Sequence, residues 1–200
     1  MRAARLGTTF ATGACVLALA ACGGSDAPQR GGAATADSVG GASVIDRAFV
    51  RDMVAHHRSA IEMAQVARKR GESPFVKRLA GEIITTQRAE IRAMQEADKA
   101  LEAEAINAGD LGLTEEEKAI EHDAGALTKA KPFDPEFLRQ MIHHHEGAIR
   151  IARVEQERGN SLDLKNLSEV IEETQTSEIA AMRRELKDTG APAGAEHDGG

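Results

Sequence analysis

Two pairs of adjacent histidines are the residues best suited to chemistry in this chain. His56 and His57 form the first pair, His144 and His145 form the second, and a methionine precedes each pair by three residues. Imidazole nitrogen accepts Cu(II) or zinc, whereas the soft sulfur of a thioether suits Cu(I). The combination therefore favours a copper site over other kinds of metal site.

Both histidine pairs belong to an internal repeat. Residues 49–94 align with residues 137–182 at a constant offset of 88 without gaps, and 21 of the 46 positions are identical. A register shared over this length indicates a tandem duplication. The identical positions that carry chemistry are Met53/Met141, His56/His144, His57/His145, Gln87/Gln175, Glu90/Glu178 and Met94/Met182.

Each repeat is predicted to fold as a helical hairpin. Apolar residues and one histidine of the first copy recur at spacings of three and four, as on one face of a helix: Phe49, Met53, His56, Ala60, Met63 and Ala67. We expect Gly71 to end this helix in a left-handed C-terminal cap and Ser73 to be the N-cap of the next helix. Gly159 and Ser161 supply the same signals in the second copy.

One short helix is predicted between the hairpins. Thr114 would begin it by forming a capping box with Glu117, and Asp134 with Pro135 would cap the entry into the second hairpin. Two hairpins with one apolar stripe each can bury those stripes only against each other. The sequence therefore predicts an all-α fold, a ferritin-like four-helix bundle of two duplicated hairpins.

Antiparallel packing should bring the polar residues of each hairpin to one level. With the first turn centred between residues 72 and 73, His56 and His57 face residues 88 and 89, which Gln87 and Glu90 bracket. Met53 lies one turn farther from the loop. Because successive helical residues differ by about 100°, one histidine of each pair is expected to point inward while its neighbour flanks the seam.

The chain begins with a predicted lipoprotein signal peptide over residues 1–21. Two arginines precede an uncharged apolar stretch over residues 6–21, which is shorter than the roughly 20 residues of a spanning helix. The stretch ends in LAAC, which resembles a bacterial lipobox whose cysteine, here Cys22, is lipidated. Multiple acyl chains would anchor the protein to the membrane on its extracytoplasmic side, in a periplasm or on an outer surface. A plain secretory signal is the alternative.

The remaining boundaries follow from composition. A flexible tether is predicted over residues 22–44, the bundle domain over 45–189 and a disordered tail over 190–200. Cys15 lies in the signal and Cys22 would carry lipid, so any metal must be held by histidine, methionine and carboxylate. His122, between the hairpins, and His197, in the tail, are expected to be solvated.

Composition excludes two broad classes. Only 2% of the residues are aromatic, which argues against a β-sandwich or barrel. The formal net charge is −7, and loss of the signal would leave 23 basic and 32 acidic residues, a charge of −9. An acidic chain without Trp or Tyr is poorly suited to nucleic acid, because little neutralises phosphate or stacks on bases.

The repeated motifs also resemble a known family. FVRDMVAHHRSAIEMA and FLRQMIHHHEGAIRIA, with the later TTQRAEIRAM and ETQTSEIAAM, are similar to the bacterial domain of unknown function 305 from about Phe49 to Met182. The resemblance implies a ferritin-type bundle in the bacterial envelope, with copper binding and copper resistance in some members. By that resemblance the candidate ligands are Met53, His56, His57, Glu90, Met94, Met141, His144, His145, Glu178 and Met182. His143, which has Ala55 as its counterpart, is expected to be peripheral.

Three functions are compatible with these residues. The first is a lipid-anchored protein that binds copper, or zinc as the second choice of metal, without turnover. The second is a ferritin-like oxidase, which needs a Glu from each of two helices and Glu-x-x-His from each of the other two. Met53 and Met141 stand where His56 and His144 would need that glutamate. The third is a structural or partner-binding module whose histidines are polar core.

Overall fold

The computed structural model describes residues 43–120 and 124–190, which all lie in one compact unit. Within these ranges the chain forms helices and no strand, so the all-α prediction is confirmed. Four helices are long and two are short: α1 Val44–Arg70, α2 Pro74–Ala103, α3 Glu115–Lys118, α4 Ala124–Lys129, α5 Phe133–Arg158 and α6 Leu162–Asp188. The connecting segment thus holds two short helices rather than the one predicted.

The long helices pack as two hairpins. Helix α1 packs along α2, α5 packs along α6, and α1 and α5 form the main contact between the hairpins. Helices α2 and α6 contact each other far less. Helix α3 lies against α5, while α4 contacts both α1 and α5. The two central helices, α1 and α5, carry the histidine pairs, so the fold brings the pairs of both repeats to the contact between the hairpins.

The core consists of two apolar clusters. One surrounds Met63, Ile83 and Phe137, and the other surrounds Phe49 and Ile151. Along α1, α2 and α6 the two clusters are separated by the stretch that carries the paired histidines or the Gln and Glu of the repeat, and on α5 only Ile149 of the first cluster lies beyond the histidines. A polar layer therefore crosses the middle of the molecule between two hydrophobic halves.

The predicted N-caps of α2 and α6 are confirmed, whereas the predicted glycine conformation is wrong. The hydroxyls of Ser73 and Ser161 accept from backbone N–H groups three residues later, at 3.0 and 3.3 Å. Gly71 has φ −52° and Gly159 has φ −68°, so neither is left-handed. Glycine is needed there for space: a Cβ on Gly71 would lie 2.9 Å from Val76 Cγ1, and one on Gly159 would overlap the side chain of Glu155.

The entry to α5 also differs from the prediction. The helix begins at Phe133 with Pro132 as its N-cap and no side-chain cap bond. Asp134 lies inside the first turn, and its carboxylate accepts from the backbone N–H groups of Glu72 at 2.9 Å and Ser73 at 2.7 Å. Asp134 therefore caps the turn of the first hairpin rather than its own helix.

The second hairpin turn is held in the same way. The Asp46 carboxylate accepts from the N–H groups of Asn160 at 3.1 Å and Ser161 at 2.7 Å, and it also closes a capping box with Ser43 at the start of α1. Asp46 and Asp134 are 88 residues apart, so they extend the repeat. We call these two contacts the turn clasps, because each hairpin supplies the aspartate that holds the other hairpin's turn. They also show that α1 and α5 run antiparallel.

Several predicted features fall outside the described residues. These are the signal peptide, Cys22 and its lipidation, His122, and the tail from residue 191 onward. Helix α1 begins at Val44, the last residue of the predicted tether, and the Thr114–Glu117 capping box at the start of α3 is confirmed. No helix in the described ranges is sufficiently long and apolar to span a membrane.

Candidate metal centre

The polar layer contains eight side chains, four from each repeat. They are His56, His57, Gln87, Glu90, His144, His145, Gln175 and Glu178. All except Glu178, which is half-buried, lie out of contact with solvent or nearly so. Burying this many polar groups costs free energy unless each finds a partner, so the partners of each group decide what the layer can do.

Within each hairpin a histidine pairs with the glutamate of the facing helix. His57 Nε2 lies 2.7 Å from Glu90 Oε2, and His145 Nε2 lies 2.7 Å from Glu178 Oε2. The glutamate side chains are 10% and 17% exposed, whereas both rings are fully buried. The two repeats therefore contain the same His–Glu pair with the same length and the same atoms.

Between the hairpins the other two histidines meet. The rings of His56 and His144 have centroids 3.8 Å apart and planes inclined at 49°. Both members of each pair are thus buried, and the expectation that one would flank the seam is wrong. The physical reason is that α1 and α5 are each buried on two sides: one histidine faces the other hairpin, and its neighbour, about 100° around the helix, faces the partner helix.

His56 and His144 differ in their surroundings. His144 Nε2 lies 3.0 Å from Ser59 Oγ, which also donates to the backbone oxygen of Ile120 at 2.7 Å. The residue equivalent to Ser59 in the second repeat is Gly147, so His56 has no such hydroxyl. Burial, with a smaller contribution from neighbouring His57, holds the pKa of His56 well below its ordinary value. The His56 ring is therefore neutral at physiological pH.

Several polar atoms of the layer have no hydrogen-bond partner among the described residues. They are both ring nitrogens of His56, Nδ1 of His57 and of His145, and both amide atoms of Gln87 and of Gln175. A buried polar atom without a partner costs about 1–3 kcal/mol, and such atoms usually accompany a bound ion or an ordered water. Hairpin geometry places Gln87 and Gln175 level with the histidines, but the family resemblance did not include these two residues among the ligands.

The four predicted methionine ligands lie on either side of the polar layer. Met53 and Met94 are fully buried in the apolar cluster on one side, and Met141 and Met182 are fully buried in the cluster on the other. Each of the two apolar clusters beside the layer therefore contains two buried methionines. His143 is exposed on the outside of α5, in keeping with the peripheral position expected for it.

The histidine and glutamate side chains of the polar layer lie in pairs. Across residues 43–120 and 124–190, no group of three or more His, Cys, Asp or Glu side chains is placed to hold a metal ion. The structure brings together His57 with Glu90, His145 with Glu178, and His56 with His144. A third ligand for an ion near any of these pairs would come from a methionine, a glutamine or a small side-chain movement.

Comparison with solved structures finds the same fold in copper-bound relatives. CopM in its Cu(I)-bound form is 31% identical with a TM-score of 0.60, over 72% of this chain and 96% of that one. CopM has also been solved in Cu(II)- and silver-bound forms. A Streptomyces coelicolor DUF305 protein assigned as secreted is 30% identical with a TM-score of 0.66, over 76% of this chain and 97% of that one.

Comparison of sequences gives the family. No curated protein matches the chain significantly. The model of the domain of unknown function DUF305 matches residues 46–186, which span all four long helices except the ends of α1 and α6. This match covers more than half of the sequence and both histidine pairs. The chain therefore belongs to the DUF305 family.

Proposed function

We propose that this protein binds copper as a cargo ion in the extracytoplasmic space, using the polar layer and its flanking methionines. The observation that carries the proposal is the set of buried imidazole and amide atoms that lack a partner in the described structure, enclosed between two pairs of buried thioethers. The four long helices would form the ferritin-like bundle that supports the site. The copper-bound forms of CopM support the choice of metal.

The donor set favours copper on chemical grounds. A neutral imidazole such as His56 offers a lone pair without first releasing a proton, and thioether sulfur prefers a soft ion such as Cu(I). Zinc shares the preference for imidazole but gains less from methionine. Copper in either oxidation state is therefore the main candidate, and zinc is the second.

The contact between His56 and His144 supports one site shared by the hairpins. These two rings come from different repeats and lie 3.8 Å apart, centroid to centroid. An ion held there would draw ligands from both hairpins, and would stabilise their association by the free energy of binding. The other arrangement is one ion in each hairpin, beside the buried Nδ1 of His57 and of His145, which have no partner among the described residues.

The location is proposed from the N-terminal sequence. A signal peptide over residues 1–21 and lipidation of Cys22 would place the domain on a membrane anchor outside the cytoplasm. The secreted assignment of the Streptomyces coelicolor relative supports export. A protein anchored there would sequester copper before it reaches the cytoplasm, or pass it to another acceptor.

The test is an anaerobic titration of Cu(I) against a competing chelator, with the chain from Ser25 onward. The main variant changes His56, His57, His144 and His145 to alanine, and circular dichroism checks that its helices persist. His143→Ala is the matched control, because this exposed histidine is adjacent to the second pair on the same helix. We expect tight binding in the wild type and the control and none in the folded quadruple variant.

The stoichiometry distinguishes one site from two. One Cu(I) per chain supports the site shared between His56 and His144, and two support one site per hairpin. If wild type and quadruple variant both fail to compete for Cu(I), Cu(II) and zinc, the copper proposal is wrong. The polar layer would then serve as a structural core or as part of a partner-binding module.

A further inference from the structure

The two His–Glu pairs determine which nitrogen of each ring carries the proton. A carboxylate can only accept a hydrogen bond, so a ring nitrogen that bonds to a carboxylate must carry a proton. The 2.7 Å bonds from His57 to Glu90 and from His145 to Glu178 use Nε2 in both repeats. Nε2 is therefore the protonated nitrogen, and in the neutral ring the lone pair lies on Nδ1.

Nδ1 is also the ring nitrogen that lacks a partner. In both His57 and His145, Nδ1 is buried and makes no hydrogen bond to any described residue. The same division of roles, with one nitrogen bound to a carboxylate and the other left for an ion, is found in most histidines that ligate metals. It occurs twice here, at equivalent positions of the two repeats.

We propose that Glu90 and Glu178 are positioning residues that hold His57 and His145 as Nε2–H tautomers and so present Nδ1 to copper. This inference rests on the proposed function, and it removes the two glutamates from the ligand set that the family resemblance implies. A glutamate that turned to bind the ion would leave a buried Nε2–H without an acceptor. That loss opposes direct ligation.

The arrangement also bears on which metal the layer selects. With both carboxylates bound to histidine, the groups left for an ion are imidazole nitrogen, glutamine amide and methionine sulfur. Carboxylate oxygen suits hard ions such as magnesium and calcium, whereas thioether sulfur selects Cu(I). Engaging the glutamates with the rings therefore biases the layer toward a soft ion.

The first test reads the tautomers without any metal. The chain from Ser25 onward, labelled with ¹⁵N at histidine, is examined at pH 8 by long-range ¹H–¹⁵N correlation spectra, with His57→Gln and His145→Gln used to assign the signals. We expect both rings to carry a proton on Nε2 and none on Nδ1. A proton on Nδ1 in either residue would overturn the inference.

The second test adds Ag(I) as a diamagnetic probe to the same sample. The expected result is a large change in the Nδ1 resonances of His57 and His145 while the Nε2–H signals remain. Loss of the Nε2 proton would show that the ion displaces the glutamate, and would overturn the inference. If neither Ag(I) nor Cu(I) changes any histidine signal, the proposed function is wrong and Nδ1 binds no ion. The metal-free spectra would still report the tautomers, so the two failures can be distinguished.

Variants separate positioning from ligation. The E90Q/E178Q pair keeps a side-chain carbonyl that can accept from Nε2–H, whereas E90A/E178A removes it. We expect the alanine pair to bind Cu(I) about 10- to 100-fold more weakly, and the glutamine pair to retain most of the affinity and the Nε2–H signals. E82Q/E169Q, at exposed glutamates on the same two helices, is the control. Equal losses in the glutamine and alanine pairs would show that the carboxylate charge itself binds the ion.

Discussion

The two hairpins share the His–Glu pair and the aspartate that holds each turn, and they differ at two positions close to these contacts. The His–Glu pair is 2.7 Å long in both, and both turns are held by an aspartate from the opposite hairpin. By contrast, Ser59 and Glu155 have Gly147 and Ala67 as their counterparts. Duplication thus preserved the residues that build the polar layer, while the surrounding structure made the two halves unequal.

Helix α3 is one source of the inequality. Gly147 lies directly under the end of α3, where a Cβ would overlap the backbone oxygen of Lys118. The equivalent Ser59 has room for its hydroxyl, which contacts His144 and Ile120. The connecting segment therefore packs on one hairpin in a way that forbids the side chain found in the other, and this leaves His56 without a hydroxyl partner.

Glu155 is the other source. It is fully buried beside Asp46 at one turn clasp, whereas Ala67 occupies this place at the other. Burial, together with the charge of the neighbouring Asp46, raises the pKa of Glu155 to about 8. Asp46, by contrast, has a lowered pKa because it accepts from Ser43 and Ser161. One clasp thus has a second buried carboxyl group beside its aspartate, and the other has the aspartate alone.

The largest predicted difference between the hairpins concerns the clasps themselves. Asp46→Ala should lower the free energy of unfolding by about 3 kcal/mol, and Asp134→Ala by about half as much. Asp46 is fully buried and bonds both to the distant turn and to the start of its own helix, whereas Asp134 is half-buried and caps a turn open to solvent. Urea unfolding followed by circular dichroism measures both, and equal losses would contradict the ranking.

Making the repeats more alike at position 147 should weaken the protein. Gly147→Ser restores the residue of the first repeat but drives a side chain into the backbone of α3, at a cost of about 2 kcal/mol. Gly81→Ser is the control, since a Cβ there meets no atom within 4 Å. The control should gain about 0.5 kcal/mol from better helix propensity. Thermal unfolding compares the two, and a neutral Gly147→Ser would show that α3 moves freely.

Glu155 should make the free energy of unfolding decrease as the pH rises. Its pKa is about 8 in the folded chain and near 4.5 in the unfolded chain, so only the folded state holds the proton between these values. The wild type should therefore lose about 1.4 kcal/mol per pH unit relative to Glu155→Gln within that window. Glu157→Gln, at an exposed site on the same helix, should show no such difference. Parallel stability profiles for wild type and Glu155→Gln would refute the assignment.

Ser59 should give the smallest effect. Ser59→Ala removes the bond to the Ile120 carbonyl and the contact with His144 Nε2, for a loss of about 1 kcal/mol. The variant makes the two hairpins more similar around the His56–His144 contact without adding bulk. Chemical denaturation gives the stability, and the ¹⁵N spectrum of His144 shows whether its Nε2 environment changes. An unchanged spectrum would show that the hydroxyl does not hold the ring.

Features that depend on local spacing could be predicted from the sequence. The apolar stripe of α1, the N-cap serines and the level shared by the histidines with Gln87 and Glu90 all follow from helical period and hairpin geometry. The contact between His56 and His144 does not, because it depends on how the two hairpins pack. The turn clasps did have a sequence signal. Asp46 and Asp134 share the offset of 88 that relates the repeats, but they lie three residues before the start of the aligned ranges.

Other predictions were wrong because one residue type can serve two different purposes. Glycine at positions 71 and 159 predicts a left-handed cap, yet both residues are needed where neighbouring atoms leave no space for a Cβ. Asp134 before Pro135 has the sequence of a helix cap, yet its carboxylate bonds to another hairpin. Local sequence cannot distinguish these cases, because the atoms that decide them can lie far away along the chain. Glu72, whose backbone N–H donates to Asp134, is 62 residues before it.

The turn clasps also have a consequence for the origin of the chain. Each hairpin contains one aspartate and one turn, but its own aspartate lies at the end opposite its own turn and holds the turn of the other hairpin. A half-length ancestor could have satisfied both groups only by pairing with a second copy of itself about a two-fold axis. A symmetric homodimer of single hairpins would meet both needs, and the covalent link between the two halves makes their mutual dependence permanent within one polypeptide.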